Sequence, residues 1–169
     1  TLYRYTKDKK YYKHWKMRDR EEEPLIVSGY ASVEGVDKEN HLITTSALKE
    51  AWDKFINSFR TRNQQLAHSS VQAGWPLRAY INKSGEVFKS GVNDKGLYII
   101  SEIRPDIDVA QRMRKEIENG NIRSYSISGT ATDKEYKMMG NKNVMVVNGL
   151  QLSEITFCIL LKCMISKLF

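Results

Sequence analysis

Gly120-Asn-Ile-Arg-Ser-Tyr-Ser-Ile-Ser-Gly129 follows a helix-like run and reads as a strand on which Ser124 and Ser128 flank Ser126 at period two and share its face. The preceding run, residues 107–119, has Val109, Met113 and Ile117 on one face at i+4 steps. Asp106 or Asp108 is available to cap it, and Gly120 stands where a helix ends. A second helix starts near Thr45 or Ser46, because Leu48, Trp52, Phe55, Ile56 and Phe59 make one apolar stripe behind a hydroxyl cap. Those aromatics are expected in the core.

Strands are expected over residues 25–33, opened by Pro24, and, after a polar connection over 35–40, at 65–69, 77–82, 86–89 and 97–103. Lys83-Ser-Gly85 and Asn93-Asp-Lys-Gly96 supply turns between them, and further strands follow at 124–131, 144–147 and 149–159. Many strands at short spacing with few helices predict an α+β chain, mainly antiparallel, folded as a barrel or sandwich dressed by helices. There is no internal repeat.

The 169 residues suit one domain with its own core, preceded by a basic aromatic segment: the reading divides the chain into 1–23 and 24–169. Residues 1–20 carry eight cations against two acids, six of the chain's net +7, so the remainder is almost neutral. Tyr3, Tyr5, Tyr11, Tyr12 and Trp15 interleave with those cations, a mixture able to hold phosphates and stack bases, although isolated basic runs are more often solvated faces. No run approaches the roughly 20 apolar residues that a bilayer crossing needs, so a soluble intracellular protein with no membrane partner is expected. Cys158 and Cys163 form neither a metal-ligand quartet nor a disulfide framework by their spacing, and a reducing compartment follows as the simpler expectation. Neither a metal nor another cofactor is expected.

His68, in Leu66-Ala-His-Ser, and Glu154, in Leu152-Ser-Glu-Ile-Thr, complete a set of residue types with Ser126. Serine, histidine and a carboxylate are what an activated hydroxyl requires: an attacking oxygen, a neutral imidazole to take its proton and an anion to orient the imidazolium. Generic motifs do not decide the matter, since the Gly-x-Ser-x-Gly elbow is absent and the order His, Ser, acid departs from the common hydrolase orders. A lone histidine or a strand glutamate is more often structural than catalytic. Glu154 gains weight from Leu152, Ile155 and Phe157, among which a carboxylate needs a partner, and Glu102 is the runner-up for its role.

The segments Val27-Ser-Gly-Tyr-Ala-Ser-Val33 with Asp37 nearby, Leu66-Ala-His68, Gly96-Leu-Tyr-Ile, Ile117-Glu-Asn-Gly120 running on to Gly129, and Leu152-Ser-Glu-Ile-Thr156 resemble, in order and spacing, the blocks of the tailed-phage prohead maturation proteases. That family resembles in turn the herpesvirus assemblins, and the resemblance implies a closed or nearly closed antiparallel β-barrel surrounded by a few helices. It implies a serine endopeptidase with His68, Ser126 and Glu154 as its triad, Glu154 filling a position where assemblins carry a second histidine. His14 and His41 both precede His68 in the chain, so neither is expected in that third role. The implied substrates are scaffold, a capsid-protein segment and the protease itself, cleaved in the assembling prohead in the cytoplasm of an infected bacterial host, with a homodimer as the working form. The chain departs from its relatives after residue 157: it has no proline turn and no paired arginines, and Lys162 is the only cation at a comparable distance for an oxyanion site. Two other classes remain, a non-catalytic barrel that binds scaffold or nucleic acid, and a cysteine hydrolase built on Cys158 or Cys163.

Overall fold

The stripe Leu48, Trp52, Phe55 and Ile56 becomes the buried face of helix α1, Thr45–Asn57. Thr44 caps it, its Oγ1 accepting from the Ala47 N–H at 3.3 Å, which satisfies one of the donors that a helix start leaves open. The computed structural model describes residues 3–5, 25–58, 64–66, 71–159 and 167–168. It is α+β, mostly antiparallel, with two helices and a main sheet curled into a half-barrel.

The strands of that sheet are β1 (Tyr3–Tyr5), β2 (Ile26–Val33), β3 (His41–Ile43), β4 (Gln64–Leu66), β5 (Gln72–Leu77), β8 (Gly91–Asn93), β9 (Gly96–Ile103), β10 (Ile122–Met139), β11 (Lys142–Ile159) and β12 (Lys167–Leu168). Its order is β1-β2-β9-β5-β4-β11-β10-β12, with β8 beside β9 and β3 beside β11. The pairings are antiparallel except that β3 and β4 run parallel to β11 and β12 parallel to β10. A separate hairpin joins β6 (Ala79–Ile81) to β7 (Val87–Lys89). The curl brings β10 back towards β2, where the Tyr125 hydroxyl donates to the Val27 carbonyl at 3.5 Å. Among the described residues no backbone ladder joins those two strands.

One core fills the concave side: Trp52 and Phe55 from α1, Leu97, Ile99 and Ile103 from β9, Tyr125 and Ile127 from β10, Ile155 and Phe157 from β11. Burying each such side chain contributes about 1.5–3 kcal/mol, which is what holds helix and sheet together. Helix α2 (Asp108–Glu118) adds Ala110 and Met113 to the same core. Its start corrects the capping expectation: Ile107 occupies the cap position without a side-chain bond, and Asp106 is engaged by Arg104 at 2.7 Å instead. Its end is as expected, with Gly120 at φ +76°, the left-handed conformation that glycine adopts freely.

Two further expectations change. Strands β10 and β11 each run unbroken for 18 residues, turning at Gly140 with φ +61°, where separate shorter strands were expected. The outer half of β10, Asp133 to Met139, is solvent-exposed and so lacks the burial pattern that marks a strand; its pairing partner on β11 supplies the order. Cys158, fully buried, is disulfide-bonded, contrary to the expectation of free thiols, which removes it as a thiolate nucleophile. Cys163 and the basic segment beyond Tyr3–Tyr5 lie outside the described residues.

Candidate active site

The β10/β11 register sorts the serine strand into two faces. Tyr125 pairs with Phe157 and Ile127 with Ile155, and all four enter the core, the Tyr125 and Phe157 rings lying 5.2 Å apart. The opposite face carries Ser124 across from Cys158, Ser126 across from Thr156 and Ser128 across from Glu154. Because the aromatic and aliphatic neighbours are locked in the core, the hydroxyls cannot exchange faces: a one-residue slip would expose Tyr125 and Phe157. A register shift follows Ser128, and the ladder resumes at Gly129 opposite Leu152.

Glu154 is therefore the diagonal neighbour of Ser126, not its direct partner. Diagonal positions stand roughly 7–8 Å apart across a ladder. Both side chains leave the same face of the ladder, so a third side chain placed over that face can meet both. Ser126 is 4% exposed and Ser128 7%, while Glu154 is half-buried.

His68 lies outside the described residues. Leu66, the last described residue before it, has its Cα paired with Phe157 of β11. Strand β4 is fastened here at one more point: Thr156 Oγ1, directly across from Ser126, donates to the Gln65 carbonyl at 2.9 Å.

Beneath the serine strand runs a buried polar chain. Gln64 Nε2 donates to Ser101 Oγ, which is hydrogen-bonded to the Tyr125 hydroxyl, so β4, β9 and β10 are tied through side chains that are fully or almost fully buried. Burial pushes the Tyr125 phenol well above its ordinary range, against the opposing effect of the Ser101 hydrogen bond. This phenol is a structural post for the strand, held neutral at any physiological pH.

Glu102, the runner-up acid, is not brought to Ser126. It pairs with Ile26 on the sheet face where Ile26, Tyr80 and Ile100 cluster, and β5, β4 and β11 stand between β9 and β10 in the sheet. Across the curl β9 does approach β10, but the residue that reaches Tyr125 is Ser101, which alternates with Glu102 on β9 and so points to the other face. Lys162 lies outside the described residues. Among the described residues no group of three or more His, Cys, Asp or Glu side chains is arranged to hold a metal.

Sequence reasoning passed over one constellation. Ser126 lines a cleft of about 270 Å³ together with Asp37 and His41, between the end of β2 and β10. Chain order had set His41 aside, yet order along the chain does not limit which side chains meet in space. The signal available was the i, i+4 spacing of Asp37, in the polar connection after β2, and His41, which follows it. Compared with protein-family models, curated proteins and solved structures, the chain gives no match.

Proposed function

We propose that this chain is a serine endopeptidase of viral capsid maturation, cleaving scaffold, a capsid-protein segment and itself. The observation that carries the reading is the diagonal placement of Ser126 and Glu154 on one face of β10/β11. Ser126 Oγ attacks the scissile carbonyl carbon while His68 takes its proton. The tetrahedral intermediate collapses as the imidazolium returns that proton to the leaving amine, and water then repeats the cycle on the acyl-enzyme. Glu154 holds the imidazole tautomer and offsets its charge.

In this reading the half-barrel is a nearly closed, assemblin-like barrel completed at the β2/β10 seam, and the protease works as a homodimer. It acts in the cytoplasm of an infected bacterial cell, inside the assembling prohead. Mass spectrometry of the protein incubated alone and with its scaffold tests it directly. Cleavage products that vanish with Ser126→Ala support the reading, and steep salt-dependent nucleic-acid binding with no proteolysis supports a non-catalytic barrel instead.

A further inference from the structure

The turn after β2 is built to hold one imidazole against two carboxylates. Asp37 Oδ1 accepts from the backbone N–H of Glu39 at 2.9 Å and of His41 at 2.8 Å, and the Asp37 N–H donates to the His41 carbonyl at 2.9 Å. Asn40 takes the left-handed conformation at φ 60°, which lets the loop close. His41 itself opens β3 and pairs with Met145 of β11, so its backbone is anchored at both ends.

Within that frame His41 Nδ1 is buried, makes no hydrogen bond, and lies 3.7 Å from both Asp37 Oδ2 and Glu39 Oε2. The Nδ1 edge of the ring thus faces two carboxylates. No hydrogen bond engages Nε2 among the described residues. His41 and Asp37 line the cleft that Ser126 also lines, and Ala31, Val36 and Ile43 give that cleft apolar walls. The cleft thus combines negative charge at Asp37 with apolar walls.

We infer that this cleft is the specificity pocket for the substrate, and that it takes a lysine or arginine side chain: an aliphatic stem along the apolar walls and a donating cationic head at His41 and Asp37. An aspartate or glutamate in the same position would meet the like charge of Asp37. The inference rests on Ser126 being the nucleophile.

The test uses the full chain, a small fluorophosphonate that labels an activated serine without needing the pocket, and paired peptides differing only in Lys or Glu beside the cleaved bond. The wild-type protein should prefer Lys on the order of tenfold or more in kcat/KM. Asp37→Asn with Glu39→Gln keeps acceptors for the turn and removes both charges. That variant should lose most of the preference, mainly through KM, while Ser126 still takes the label. An unchanged Lys-over-Glu preference in a folded, labelled variant overturns the inference and leaves the serine reading intact. If wild-type Ser126 is never labelled, the serine reading falls instead. Equilibrium binding of the same two peptides then decides the pocket: a Lys preference that the double variant abolishes supports it, and equal binding overturns it.

Discussion

Ser128 stands directly across the β10/β11 ladder from Glu154, which makes Glu154 the diagonal neighbour of Ser126. Three hydroxyls on one strand face are thereby given different positions relative to one carboxylate. Only Ser126 of the three also lines the cleft that holds His41 and Asp37.

Replacing the three serines one at a time should separate them. Ser126→Ala is expected to lower the cleavage rate on the order of 10⁶-fold with the fold intact, since the loss of a triad nucleophile leaves only binding and oxyanion stabilisation. Ser124→Ala and Ser128→Ala should retain substantial activity. Gel-resolved scaffold cleavage, with circular dichroism as the folding control, reads all three, and robust cleavage by Ser126→Ala would sink the assignment.

Glu154→Gln removes the charge and keeps the shape. Turnover should fall on the order of 10⁴-fold, as expected when an orienting carboxylate is replaced by an amide that favours the wrong tautomer. The melting temperature should move little, because the side chain is only half-buried. A near-normal rate would show that no acid at this position supports the imidazole.

Tyr125→Phe probes the buried chain that runs from Gln64 through Ser101. Removing the phenol leaves Ser101 short of a partner in the interior, an expected cost of about 1–3 kcal/mol and several degrees in Tm. The pH dependence has a definite sign. The folded-state phenol titrates above its ordinary value of 10.0, so the folded protein binds the proton more tightly than the unfolded chain does. Its contribution to stability is complete below about pH 10 and is lost as pH rises beyond that. Denaturant melts at increasing alkaline pH should show this decline in wild type and a shallower one in Tyr125→Phe; parallel curves would count against it.

Gly74→Ala tests the seam between β5 and β9. A Cβ at this position would run into the Glu102 backbone carbonyl of the paired strand. Backbone cannot yield as a flexible side chain can, and a loss of about 1–3 kcal/mol is expected. Thermal melting of the purified variant measures it, and an unchanged Tm would mean the two strands separate more easily than their packing implies.

What could be read from residues alone was whatever local pattern encodes. The Leu48, Trp52, Phe55 and Ile56 stripe placed α1, the Met113 face and Gly120 placed α2, and apolar runs placed β2 and β9, because helix and strand periods are written in which side chains must face the core. Ser124, Ser126 and Ser128 were assigned to one face by the same period of two. Strand β5 was not legible, since Gly74 and Pro76 argue against a strand when read locally. Its reason lies in a neighbour: only glycine lets the Glu102 carbonyl approach so closely. The exposed half of β10 was missed for a related cause, its order coming from β11 and not from burial. That His41 lines the same cleft as Ser126, and that Glu154 is diagonal to Ser126 while Glu102 lies on the sheet face of Ile26, Tyr80 and Ile100, follow from how the sheet curls and registers. Those are long-range pairings between segments up to a hundred residues apart, and no local period carries them.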